Sequence, residues 1–256
     1  MLCVPQVLDV NGLLIERSIT VLRDAQHEPV EPDVRVGAFH VYNRPGLQAF
    51  ITMLMERFVV GVWSSARQHN LRGLVRHIFG AYEERLAFAW GQEACTYAGT
   101  TADSKPLFLK ELGRVWAEPA FASFGPHNTL LVDDDAYKAA RNPPNTAIHP
   151  KKVRRRRRRP LGTCACASLI PLVPPCLSQF SWCGDASDTG LLQHGVLWDY
   201  LERLSTQDTV PGFVTAVPFG APAEPAHDTS PEEKPETKTK KQHSKRRRSS
   251  DECHDK

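Results

Sequence analysis

Asp9 follows the apolar run Val7-Leu8, Ser64 follows FVVGVW, and Asp133, Asp134 and Asp135 follow NTLLV. With Asn11 and Lys110, these residues form a set with a definite chemistry. A carboxylate at a strand end, beside the Asn11-Gly12 turn, can be presented in line to a phosphorus atom. Carboxylates from a second strand end can hold Mg²⁺, a hard cation that prefers oxygen and commonly takes one or two carboxylates plus phosphate. A hydroxyl and an ammonium group bind the remaining phosphoryl oxygens. Such a set stabilises a phosphoryl-transfer transition state by positioning and charge neutralisation, and a carboxylate nucleophile gives an aspartyl-phosphate.

These side chains meet only if their strands end along one edge. Val4 to Val10 reads as a buried strand running into a turn, and Val34 to Tyr42 as a second. From Arg44-Pro45-Gly46 a helix runs to about Arg57, with Leu47, Phe50, Ile51, Leu54 and Phe58 at spacings of three and four. Phe58 to Trp63 is a strand, and Ser64-Ser65 can cap a helix from Ala66 to about Gly80. Leu86 to Trp90 reads as strand, Lys105 to Trp116 as helix and Asn128 to Val132 as strand. Thr189 to Leu204 carries a helical apolar face. The alternation predicts an α/β fold, a parallel sheet with helices on both faces. Ligands of such sheets bind outside the carboxyl ends of the strands, where Asp9, Ser64 and the acidic run fall.

The stretch from Val7 to Leu14 (VLDVNGLL) resembles the first motif of haloacid-dehalogenase-like (HAD) phosphatases. Arg44-Pro45-Gly46-Leu47 through Val62-Trp63-Ser64-Ser65, then Lys110-Glu111-Leu112, Leu131-Val132-Asp133-Asp134-Asp135 and Asn142-Pro143-Pro144-Asn145 follow in that family's order. The set is similar to the NLI-interacting-factor (NIF) branch, which includes phosphatases of the RNA polymerase II C-terminal domain. The resemblance implies a HAD-like, Rossmannoid sheet and a Mg²⁺-dependent protein serine/threonine phosphatase acting on a phosphorylated protein. It implies Asp9 as nucleophile and metal ligand, Ser64 and Lys110 as phosphate-binding groups, and Asp133 and Asp134 completing the Mg²⁺ site. Asn11 is a departure. Active relatives usually have Asp there, as general acid and then base, with its backbone carbonyl on the metal. Asn keeps that carbonyl but exchanges no proton near neutral pH. The resemblance therefore also admits a catalytically inactive HAD-like binding module, of the kind represented by the receptor subunit of the mitochondrial inner-membrane protein translocase.

Composition bounds the rest. The chain has 256 residues, 41% of them hydrophobic and 24% charged, as in a soluble globular protein. No apolar run approaches the roughly 20 residues of a membrane span, and the start has neither a secretory nor a transit-peptide pattern. Seven cysteines, an odd number, favour a reducing compartment. The net charge of +3 hides an uneven distribution. Residues 1–150 carry 14 basic and 16 acidic residues, whereas Lys151–Arg159 alone contributes +8. The body is mildly acidic, so no specific nucleic-acid binding is expected from it. The expected organisation is a phosphatase core over 1–150, a basic, Pro- and Cys-rich insertion over 151–180, a helical return to the core over 181–220, and a disordered basic tail over 221–256. Lys238 to Arg248 resembles a bipartite nuclear-localisation signal, which points to a nuclear import receptor as a partner and to the nucleus, with cytoplasm or an organelle as the alternative.

Overall fold

The computed structural model describes residues 4–24, 27–152 and 188–221. The basic run after Lys152, the Cys-rich insertion and the tail with Lys238–Arg248 lie outside those residues. A first strand, β1 (Pro5–Leu8), leads to β2 (Ile15–Ser18), β3 (Val34–Val36) and β4 (Phe39–Asn43). Then come α1 (Leu47–Arg57), β5 (Val59–Trp63), α2 (Gln68–Phe79) and β6 (Phe88–Trp90). The hairpin of β7 (Thr96–Thr100) and β8 (Pro106–Leu109) precedes α3 (Gly113–Trp116), β9 (Leu130–Val132) and β10 (Ala147–Ile148). Helices α4 (Val196–Leu204) and α5 (Val210–Ala216) follow.

The expected parallel sheet is present, in the order β10-β9-β1-β5-β6. Alternation along its strands divides the core in two. Leu8, Val60, Val62, Leu130 and Val132 pack with apolar residues of α1, α2, α4 and α5 on one face. Val7, Trp63, Phe88 and Leu131 pack with Leu112 and Val115 at α3 on the other. Because both faces are covered, β5 and β9 read as unbroken apolar runs rather than as alternating ones, while β1 carries one buried polar residue, Gln6. Helix α1 buries Leu47, Phe50, Ile51 and Leu54 at the expected spacing. No helix among the described residues is long and apolar enough to cross a membrane.

Three of the expected elements differ in the structure. Lys105–Trp116 is not one helix, because Pro106–Leu109 pairs antiparallel with Thr96–Thr100 and only Gly113–Trp116 is helical. Val34–Tyr42 is not one strand, because Gly37, at φ +59°, turns the chain into a β3–β4 hairpin. The helix expected from Thr189 begins only at Val196. Residues 189–195 are folded tightly, and a β-carbon at Gly195 would collide with the Thr189 carbonyl.

Candidate active site

Strand register brings two of the acids together. Leu8 pairs with Val132 across β1 and β9, so the next residues, Asp9 and Asp133, stand side by side at the carboxyl edge. The Asp9 N–H donates to the Val132 carbonyl at 2.9 Å, and the Asp133 N–H to that of Ile148 at 3.2 Å. Asp134 lies against the turn after β1. Gly12 has φ +92°, and a β-carbon there would run into the Asp134 carboxylate, so the turn needs glycine on two counts.

Three lysines meet these acids. Lys110 follows β8, and its Nζ lies 2.9 Å from Asp9 Oδ1 and 2.5 Å from Asp133 Oδ2. Lys138, on the 3-10 turn Ala136–Ala139, lies 2.7 Å from Asp9 Oδ2 and 2.9 Å from Asp133 Oδ1. It also stands 3.6 Å from Asp134 Oδ1 and 3.5 Å from Asp135 Oδ2. Lys152 is 2.6 Å from Asp134 Oδ2 and 3.1 Å from Asp135 Oδ2. Lys110 and Asp133 are 0% exposed, Asp9 1% and Lys138 3%. Each buried ion would cost several kcal/mol unpaired. Here every oxygen of Asp9 and Asp133 faces an ammonium, which offsets that cost.

Burial opposes the charge on Asp9, but Lys110 and Lys138 outweigh it and hold its carboxyl well below the ordinary range. Burial, and then the Asp9 charge, push the Asp134 carboxyl up to about 7 against the pull of Lys138 and Lys152. Burial also opposes the Lys138 charge, yet Asp9, Asp133 and Asp134 raise its pKa far above the usual lysine value. The site is therefore set up to keep Asp9 ionised, as a carboxylate nucleophile or metal ligand must be.

Of the residues singled out from sequence, Asp9, Lys110, Asp133 and Asp134 come together. Ser64 is buried at the carboxyl end of β5, the strand next to β1, but its hydroxyl accepts the Ala66 N–H at 3.2 Å and touches none of the four. It does not cap α2, whose N-cap is Arg67. Asn11 lies in the turn beside them, with its Oδ1 buried and without a hydrogen bond. Ligand oxygens of Asp9, Asp133 and Asp134 lie within 4.8 Å of one another. An all-carboxylate set of this size fits a hard divalent cation, although the Lys138 ammonium now stands among those oxygens. Lys138 is not among the residues singled out from sequence, and Lys152 figures there only as part of the basic run Lys151–Arg159. The only available signal was their position, three to five residues after an acidic triplet for Lys138 and at the start of the basic run for Lys152.

A family model described as NLI interacting factor-like phosphatase matches residues 6–152, which include every position of this cluster. An uncharacterized FCP1 homology domain-containing protein of Schizosaccharomyces pombe is 28% identical over 146 residues, covering 54% of this chain and 57% of its own length. The chain thus spans little more than half of that curated relative. Two solved structures are also similar: Fcp1, an essential RNA polymerase II CTD phosphatase, and a fission-yeast Fcp1 variant bound to beryllium fluoride. They align over 57% of this chain and 41% of theirs, at 14% and 11% identity and TM-scores of 0.40 and 0.39.

Proposed function

Since the chain belongs to the NLI interacting factor-like phosphatase family, we propose that it is a Mg²⁺-dependent phosphatase of phosphoserine or phosphothreonine in proteins, with Asp9 as nucleophile. The observation that supports this most is the contact of Asp9 with Lys110 at 2.9 Å on the carboxyl edge of the sheet, beside Asp133 and Asp134. In this reading an Asp9 oxygen attacks phosphorus, and the bond from phosphorus to the seryl or threonyl oxygen breaks. The departing alkoxide takes a proton from water, because Asn11 has none to give. Water then cleaves the aspartyl-phosphate and releases inorganic phosphate. Lys110 neutralises charge on the phosphoryl oxygens, and Ser64, whose hydroxyl only accepts from the Ala66 N–H, has its O–H proton to donate to one of them. Asp9, the Asn11 carbonyl, Asp133 and Asp134 would hold Mg²⁺, which supplies further neutralisation of the transferring group.

The test is turnover of phosphoserine and phosphothreonine peptides and of an aryl phosphate by the full chain beside Asp9→Asn. Loss of turnover in Asp9→Asn is the expected result. Full activity in that variant would refute the nucleophile assignment.

Asn11 favours a second reading, a binding module that keeps phosphate and metal contacts without turnover. No hydrolysis by the wild type or by Asn11→Asp would select it. For location we propose nuclear import through Lys238–Arg248. Deleting residues 221–256 should lower nuclear accumulation of a fluorescent fusion while leaving turnover unchanged.

A further inference from the structure

We propose that Lys138 is an internal counter-cation that closes the carboxylate cluster, so that a divalent cation enters only by displacing its ammonium group. The proposal rests on reading Asp9, Asp133 and Asp134 as a cation site. Its geometry is unambiguous: the Lys138 Nζ is within 2.7–3.6 Å of an oxygen from each of the three acids. An oxygen-bound metal and an ammonium group cannot share that space.

Lys138 is not needed to bring Asp9 and Asp133 together, because Lys110 already bridges them through Asp9 Oδ1 and Asp133 Oδ2. Lys138 takes the other oxygen of each. With both lysines in place each Asp9 oxygen faces an ammonium and the residue is 1% exposed, which leaves phosphorus or a metal no approach to it. The closed state is therefore a resting state. An exit also exists. Asp135, 34% exposed at its side chain, lies 3.5 Å from the Lys138 Nζ and offers the ammonium a second partner nearer the surface. The neighbouring Tyr137 is 40% exposed, so the turn carrying Lys138 borders solvent. Rotation about the four-carbon stem can carry the charge outward without moving the sheet.

The test is calorimetric titration of the full chain with MgCl₂ after chelation, comparing the wild type with Lys138→Met, Lys138→Arg and Lys152→Met. Two unit charges a few ångströms apart in a partly dry site interact strongly, so Lys138→Met should bind Mg²⁺ on the order of tenfold or more tightly. Its thermal midpoint should also rise more with Mg²⁺, through linkage. Lys138→Arg, which keeps the charge, should stay weak. Lys152→Met, which leaves Asp9 and Asp133 paired, should change affinity less than Lys138→Met. Should Lys138→Met unfold in chelator, recovery of its far-ultraviolet circular dichroism by MgCl₂ would support the proposal, because the cation would be replacing the ammonium. Equal Mg²⁺ affinity in wild type and Lys138→Met, or unfolding that Mg²⁺ does not reverse, would overturn it. No Mg²⁺ binding by any folded variant would overturn both this proposal and the metal reading on which it rests.

Discussion

Asn142 holds the backbone on either side of Glu111: its Nδ2 donates to the Lys110 carbonyl at 2.9 Å, and its Oδ1 accepts the Leu112 N–H at 2.8 Å. The Lys110 N–H in turn donates to the Lys138 carbonyl at 2.8 Å, so the two buried lysines share one scaffold. Asn142→Ala leaves a donor and an acceptor without partners, a loss worth about 1–3 kcal/mol for each buried group. Urea denaturation should show a destabilisation of that order, with Asn142→Asp milder because it keeps the acceptor. A change under about 0.5 kcal/mol in Asn142→Ala would mean that water replaces the clamp.

Gly12 and Gly80 make a matched pair for the cost of crowding at the site. Both have positive φ, +92° and +50°, but a β-carbon at Gly80 meets nothing within 4 Å, whereas one at Gly12 strikes the Asp134 carboxylate. Gly80, at φ +50° and ψ −120°, has a backbone conformation open essentially to glycine alone, so Gly80→Ala should cost about 1–3 kcal/mol of strain. Gly12→Ala should cost more by thermal or urea unfolding, and should also weaken Mg²⁺ binding by moving Asp134. Equal costs for the two would remove the argument that Gly12 makes room for Asp134.

The residues of the site differ in how far local sequence could foretell them. Asp9 and Asp133 were legible because apolar strands end at each, and parallel strands buried on both faces write a continuous signal. Lys110 could be offered as an ammonium for the set, but its phosphate-binding role rested on family resemblance, since the helix expected around it is half strand. Pro106–Leu109 pairs with Thr96–Thr100, a ribbon whose Tyr97 is 60% exposed, so no hydrophobic period marks it. Lys138 sits in AYKAAR, which reads as a solvated helical charge, yet its burial is set by Asp9, 129 residues away. Arg44 is similar. Its Nε lies 2.8 Å from Asp188 Oδ2 and its Nη2 2.9 Å from Asp188 Oδ1, a bidentate pair spanning 144 residues. Charge pairs of this kind leave no periodicity behind.

His77 supplies a pH prediction away from the site. Burial lowers its pKa below 6.5, and the charge of Asp33 only partly opposes this; its Nε2 lies 2.8 Å from Asn43 Oδ1, joining α2 to β4. A histidine depressed in the folded state binds its proton more readily when unfolded, so stability falls as pH drops below the unfolded value near 6.5. Below the folded pKa the loss levels off. Urea midpoints of wild type and His77→Gln should therefore diverge between pH 7 and pH 5, with the variant less sensitive because its amide titrates nowhere in that range. Parallel curves would show that the folded histidine titrates as the unfolded one does.

The chemistry of Asn11 makes the sharpest prediction about turnover. General acid–base help is typically worth about 10²–10⁴-fold, and Asn11 forgoes it at a position where the family resemblance implies a carboxyl group. The deficit depends on the leaving group. An aryl oxide departs without a proton, whereas a seryl alkoxide needs one. Asn11→Asp should therefore raise kcat/KM, which reports phosphoryl transfer to Asp9, on a phosphoserine peptide by up to that factor and raise kcat/KM on an aryl phosphate much less. Hydrolysis of the proposed Asp9 intermediate should also gain, since an aspartate can take a proton from the attacking water. Any burst of aryl product seen with the wild type should then shrink while the steady rate after it rises. An equal gain in kcat/KM on both substrates would mean that Asn11→Asp acts through charge or metal affinity rather than through proton transfer to the leaving group.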